Sequence, residues 1–295
     1  MLLAAMGGYV TAANAIGLLD AYESALMHDP TFRAAIHENE AGQQAIAIGR
    51  AGLLPTLSIT HLQSISRGTQ TNPNIAGISE KSNLSFNSEV TTLTLRQPLL
   101  NMEAVTNYDQ SHARANSSQA KLIGQSHLLI VRLVEAYVKT LLAQDRLYLA
   151  KAQDKALEEL KIVNQNMLKR GEGTHTDVLE TQSRHALAQA QVIEAQDEFD
   201  TAKLALSAMI GQDVAALDAL SSHFKVQPLY PADFESWQEM ALVGNAELLT
   251  QQHMVTSSKL EIQKSRAGHA PRVDLVASLN RNNAASFLFP DRDAT

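Results

Sequence analysis

Between Pro98 and Pro228 the chain has no proline, and its glycines there are Gly124, Gly171, Gly173 and Gly211. Apolar residues in this stretch recur every three or four positions, the period of a helix that buries one face. From Leu99 to Lys169 the pattern predicts one nearly unbroken helix, ~105 Å long at 1.5 Å per residue. Its packing stripe reads as Ile130, Val134, Tyr137, Leu141, Leu149, Ala152, Ala156, Leu160, Val163 and Met167. The consecutive four-residue gaps around Ala156 read as a stutter, which locally relaxes supercoiling. A return helix follows, in which Val178, Thr181, His185, Ala188, Val192, Ala195, Phe199, Ala202, Leu206 and Met209 alternate gaps of three and four. Eight of these ten are apolar and several are small, so the pair predicts an antiparallel coiled-coil hairpin. The turn between the helices runs from Lys169 to Asp177. Gly171 and Gly173 free the backbone to reverse, Thr174 or Thr176 can cap the next helix, and Asp177 and Glu180 favour its positive end.

The flanks of this hairpin repeat each other. Asp29-Pro30 through Pro55 aligns without a gap onto Asn245-Ala246 through Pro271, 216 positions further on (29 to 245). The anchor is Arg50-Ala51-Gly52-x-x-Pro55 against Arg266-Ala267-Gly268-x-x-Pro271. Each copy reads as a short helix, an Asp or Asn start, a helix of about twenty residues, the anchor, and then strand-like sequence. Gly52 and Gly268 are placed to end a helix in the left-handed conformation, and the prolines forbid its continuation. After Pro271, Val273, Leu275, Ala277 and Leu279 alternate with Asp274, Val276, Ser278 and Asn280, the period of a strand with one apolar face. After Pro55, Leu57 and Ile59 begin a similar alternation that slips; Leu84, Phe86, Val90, Leu93 and Leu95 form a second strand before Pro98. The Gly, Asn, Ser and Thr-rich stretch Arg67 to Asn83 reads as the loop between two strands of about ten residues.

Composition changes the picture in three ways. Aromatics are 5% and hydrophobics 45% of the 295 residues, so the apolar content is mostly small and aliphatic, which suits closely packed long helices. A net charge of −7 argues against a nucleic-acid partner, which needs a clustered basic face. The lack of cysteine removes disulfides, thiolate metal sites and Cys nucleophiles. Residues 1–15 read as a signal-peptide remnant, with Ala13-Asn14-Ala15 supplying the small-x-small pattern before Ile16; a buried N-terminal helix is the other reading. No later stretch approaches the ~18 apolar residues of a transmembrane helix, so any membrane crossing falls to strands.

The motifs of catalysis are not found: no GxGxxG, Walker loop, HExxH or GxSxG. No cofactor, metal or enzymatic role is expected. Gly171-Glu172-Gly173 lacks the strand and the lysine of a phosphate loop. His28 and His37, or His175 and His185, lack metal-ligand spacing, and His185 reads as a polar residue of the seam. Glu158 and Glu159 beside Lys155 and Lys161 read as a solvated helix face.

The whole pattern resembles the TolC-like outer-membrane channel family: a signal peptide, short helices, a strand hairpin, Gln97-Pro98-Leu99 opening a long helix, a Gly-rich tip, a return helix and a restarting repeat. The most specific segment is Gly171-Glu172-Gly173-Thr174-x-Thr176-Asp177-Val178-Leu179-Glu180-x-Gln182, which is similar to the family's tip motif and looks like its type I protein secretion branch. The anchor at both helix-to-strand junctions, marked by Gly52, Pro55, Gly268 and Pro271, is similar too. The likeness runs from Ile16 to about Asn283. It implies a mainly α fold with β-strands: a first repeat over about 16–228, with a strand hairpin near 56–97 and a helical hairpin near 99–211, then a truncated second repeat over 229–295 with a strand from about 272. It also implies a homotrimer in the outer membrane with helices in the periplasm. The partners would be outer-membrane lipid, a periplasmic adaptor, and an inner-membrane ABC or RND transporter that supplies the energy. Adaptor contact would fall on Gly171, Glu172, Gly173 and Thr174. The family's second repeat goes on through a further strand pair, a second hairpin and a closing helix. On that pattern the chain supplies at most three of four strands and leaves an unpaired edge, the expectation for a fragment; Phe287 to Thr295 matches no family element. The competing expectation is a periplasmic coiled-coil adaptor with no membrane barrel.

Overall fold

The computed structural model describes residues 15–73, 79–221, 223–286 and 289–294. In chain order its elements are α1 (Leu18–His28), α2 (Pro30–Ala51), β1 (Thr56–Pro73), β2 (Ser79–Leu100), α3 (Met102–Lys169), α4 (His175–Ile210), α5 (Phe234–Gly244), α6 (Ala246–Ala267), β3 (Val273–Ser286) and β4 (Phe289–Ala294). The stretch read as a signal peptide lies, apart from Ala15, outside the described residues. The chain divides into two compact units, one of residues 1–40 and 119–249, the other of residues 41–118 and 250–295; α2, α3 and α6 contribute to both.

The first unit is built on the helical hairpin. At its base Ala21 and Ala25 of α1, Phe32 of α2, Leu129, Leu133 and Tyr137 of α3, and Leu206 and Ile210 of α4 bury one another. The two alanines one turn apart let α1 lie close against the longer helices. Tyr137 donates to both Ile16 O (3.0 Å) and Asp218 O (2.9 Å), which ties the chain's approach to α1 to the segment leaving α4. Asp29 starts α2 by accepting from Phe32 N at 2.6 Å, and its buried carboxylate pairs with Arg132 at 3.0 Å. In the second copy Asn245 does the same for α6, accepting from Glu247 N and Leu248 N. The copies also match in length: α1 and α5 have 11 residues each, α2 and α6 have 22.

The seam expected on α4 is the buried face of α4: all ten positions are buried or half-buried, with Thr181, His185, Ala188, Ala202 and Leu206 fully so. On α3 the expected stripe is corrected. Tyr137 is buried, but Leu149, Leu160, Val163 and Met167 are exposed. The face that meets α4 runs one residue further on, through Leu147, Ala150, Asp154, Leu157, Lys161, Asn164 and Leu168. One residue is about 100° of helix. The stutter belongs to the exposed stripe, since the contact face keeps alternating threes and fours. Apolarity misled because the true seam carries Asp154, Lys161 and Asn164. α3 starts at Met102 rather than Leu99, because β2 extends to Leu100.

The second unit holds a four-stranded antiparallel sheet in the order β1-β2-β3-β4. β1 pairs with β2 residue for residue from Thr56↔Arg96 to Pro73↔Ser79. Most of the segment expected as a loop, Arg67 to Asn83, is therefore paired strand; residues 74–78 lie outside the described residues. Ser, Thr and Asn signal turns only where no partner backbone is on offer, and here the ladder takes them in. The strands have 18 and 22 residues rather than about ten. β2 pairs with β3 from Ser88↔Ala284 to Leu100↔Val273, passing Pro98 by a register shift. The expectation of at most three strands is also corrected: Phe289–Ala294 of the unassigned tail forms β4 on β3, a six-residue strand too short and too polar to announce itself by period.

Residues directly opposite each other share a face. Leu57–Leu95–Ala277 and Ile59–Leu93–Leu279 therefore make apolar rows on one side, and Ser58–Thr94–Ser278 and Thr60–Thr92–Asn280 make polar rows on the other. Leu57, Ile59 and Leu279 are each more than 60% exposed, at 68%, 74% and 72%. No described helix is long and apolar enough to cross a membrane.

At the helix-to-strand junctions, Gly52 and Gly268 are not left-handed. Among the described residues only Gly171 and Gly211 have positive φ. Both helices end instead by tightening: Leu53 N donates to Arg50 O and Leu54 N to Ala51 O, just as His269 N donates to Arg266 O and Ala270 N to Ala267 O. Bonds to the third residue back keep φ negative, so no left-handed cap is needed before Pro55 or Pro271. Where glycine is required in this unit is on α2. A Cβ at Gly42 would stand 2.2 Å from Ser118 Oγ, and one at Gly49 would stand 2.6 Å from Ser111 Oγ, so α2 meets α3 almost backbone to backbone.

Candidate functional site at the hairpin tip

α3 gives way to the tip through a tightened last turn. Arg170 N is shared between Asn166 O and Met167 O, Gly171 N donates to Leu168 O, and Glu172 N reaches back to Met167 O at 2.9 Å. Gly171 reverses the chain at φ +78°, a conformation that favours glycine. Gly173 has ordinary φ and a different reason to be small: a Cβ there would lie 3.2 Å from Leu168 N and 3.3 Å from Met167 Cβ. The four predicted adaptor-contact residues, Gly171 to Thr174, thus form one folded-back loop. Glu172 points outward, paired with Arg170 at 3.1 Å, and both side chains are well exposed.

Thr174 opens α4 with a full capping box. Its hydroxyl accepts from Asp177 N at 3.1 Å, while its own N–H (3.1 Å) and O–H (2.6 Å) donate to Asp177 Oδ2. Of the two candidates, Thr174 is the cap and Thr176 is not. The bonds from the Thr174 side chain and backbone hold the Asp177 carboxyl below the usual carboxylate range. One turn on, Arg184 pairs with Glu180.

Beneath the tip the two helices are joined by polar contacts. Asn164 donates to Thr181 Oγ1 at 2.7 Å. Lys161 Nζ lies 3.0 Å from His185 Nδ1, and His185 Nε2 lies 3.4 Å from Asp154 Oδ1. Because an ammonium can only donate, Nδ1 accepts and the ring proton sits on Nε2, facing the carboxylate. The seam histidine is thus a partnered core residue. Nothing in the apolar period pointed to this cluster; the available signal was three polar residues of α3 at seven- and three-residue spacing. Among the described residues no group of three His, Asp or Glu could hold a metal ion.

The other predicted residues, Gly52, Pro55, Gly268 and Pro271, belong to the second unit and form two separate junctions. The tip is an exposed loop held by backbone turns, a capping box and one ion pair.

The profile of the family described as outer membrane efflux protein matches residues 21–212. The alkaline protease secretion protein AprF of Pseudomonas aeruginosa is 42% identical over 276 residues, covering 93% of this chain and 57% of its own length. The proteases secretion protein PrtF of Dickeya chrysanthemi is 39% identical over 283 residues, covering 93% of this chain and 60% of its own. The chain therefore spans less than two thirds of these curated relatives. Among solved structures, the Campylobacter jejuni CmeC outer membrane channel superposes with a TM-score of 0.70 at 15% identity, covering 92% of this chain and 61% of that one, a likeness of fold.

Proposed function

Because the chain belongs to the outer membrane efflux protein family, we propose that it is the channel subunit of a type I protein secretion system, a passive conduit in the outer membrane. In this reading three copies assemble, the strands contribute to a shared barrel among outer-membrane lipid, and the hairpins reach into the periplasm. The tip loop docks onto a periplasmic adaptor, and an inner-membrane ABC transporter supplies the energy. The relatives' names favour protein secretion over drug efflux.

The observation that carries the docking role is the tip itself. A solvated loop at the end of a helical pair ordinarily frays. This one is held by a capping box, a left-handed glycine and an ion pair, which leaves Glu172 and two backbone turns presented at little entropic cost to a partner. Gly173 lets the loop fold onto Met167; a branched side chain there reshapes the docking surface without touching the sheet.

The test is protease export from a secretor strain whose own outer-membrane component is deleted, complemented with this protein. Gly173→Val should reduce export at least about tenfold, the loss of ~1.4 kcal/mol of docking, with an unchanged amount of protein in the outer membrane. Unchanged export would remove the tip from the mechanism. A wild-type protein absent from the outer-membrane fraction would remove the channel reading.

A further inference from the structure

The duplicated anchor carries an arginine in each copy, and neither side chain is engaged by the described residues. Arg50 lies in the last turn of α2 and Arg266 in the last turn of α6. Both are exposed, and each lends its carbonyl to the same bond, to Leu53 N in one copy and His269 N in the other. Among the described residues neither guanidinium has an ion pair or hydrogen bond. The other cations at this end of the unit do: Arg96 and Arg272 both pair with Asp274, and Arg114 lies 3.7 Å from Glu261.

Their surroundings suggest a partner. Gln97 donates to Leu53 O at 3.1 Å, which sets the turn after Arg50 against the end of β2. Leu54, Leu99, Leu100 and Met102 are exposed there, at 45%, 64%, 43% and 46%. From this collar the sheet runs on through its exposed apolar rows. An unpaired guanidinium at the edge of an uncovered apolar surface matches the boundary where acyl chains give way to headgroups.

We propose that Arg50 and Arg266 form a repeated binding site for phospholipid headgroup phosphates, in the leaflet on the helical side of the sheet. This rests on the channel reading above. A guanidinium meets two phosphate oxygens at once through parallel N–H donors, which an ammonium does not. Favourable interaction of either cation with its helix end would be served equally well by lysine. That difference makes the two roles separable.

The experiment uses the protein extracted from outer membranes in detergent and titrated with phosphatidylglycerol, bound lipid being counted by native mass spectrometry. R50Q/R266Q should bind phosphatidylglycerol about ten- to thirtyfold more weakly than wild type, as expected for two lost surface cations. R50K/R266K should fall between them, and R184Q, which alters the ion pair with Glu180, should match wild type. If the double variant does not assemble, R50Q and R266Q singly should each show part of the loss. Equal lipid binding by wild type and R50Q/R266Q overturns this inference and leaves the channel reading standing. A wild-type protein that stays in water without detergent overturns both.

Discussion

At the residue scale, two positions show how differently a small side chain can be required. Gly211 ends α4 at φ +72°, and a Cβ there would stand 2.5 Å from His28 Cβ. Gly244 has nothing within 4 Å of the same construction. Gly211→Ala should therefore cost about 2–4 kcal/mol, from backbone strain and overpacking together, while Gly244→Ala should leave the thermal unfolding midpoint nearly unchanged. At the tip, Thr174→Ala removes the two hydroxyl bonds of the capping box but keeps the backbone N–H bond to Asp177, and should cost about 1 kcal/mol, seen as faster amide exchange at Asp177 and Val178. The Asp177 carboxyl is lower in the folded chain than in an unfolded one. Its contribution is thus complete at neutral pH and is lost as pH falls through and below the ordinary aspartate value of about 4. The protection of amides 174–178 from exchange, relative to their intrinsic rates at each pH, should fall in that window and stay constant between pH 6 and 8.

At the element scale, the hairpin is apolar at its base and polar toward its tip. Leu129, Leu133 and Leu206 bury one another at one end, while Asp154, Lys161 and His185 meet near the other. A polar cluster of this kind stabilises little as a set, but breaking it exposes the cost of what remains. Lys161→Met alone leaves His185 Nδ1 without its donor and should destabilise the hairpin by about 1–3 kcal/mol. The triple change of Asp154, Lys161 and His185 to leucine should cost less than that single change, measured by denaturant unfolding. A triple variant that is the weaker of the two would contradict this account. The expected benefit of the polar cluster is register: one sliding turn would bring Asp154 against apolar residues of α4.

At the scale of the whole molecule, the exposed stripe on α3 is the informative feature. Leu149 (65% exposed), Leu160 (45%) and Val163 (50%) keep helical spacing yet are not buried by the described residues. Apolar surface in a continuous stripe is a signature of association. In the proposed assembly it is covered by neighbouring copies. Leu160→Lys with Val163→Lys should lower the yield of heat-sensitive trimer in unboiled gels by several-fold while helical circular dichroism is kept. Full trimer yield would place the subunit contact elsewhere.

How much was legible follows from which forces are local. The long helices, the tip turn, a threonine cap at Thr174 or Thr176 and the repeat at an offset of 216 (29 to 245) were determined by the sequence, because period, capping chemistry and glycine placement act within a few residues, while the structure chose Thr174 as the cap. The α4 seam was legible for the same reason. The tertiary structure decided which of two neighbouring stripes on α3 faces α4, since both have helical spacing and only the partner's polar groups choose between them. It decided that Arg67 to Asn83 pairs instead of looping, and that Phe289–Ala294 makes a fourth strand, because strand pairing depends on a distant backbone and not on the segment's own composition. It also decided that Gly52 and Gly268 need no left-handed turn, since the bonds that close those helices leave φ negative. What a residue can do was written locally; what it meets was not.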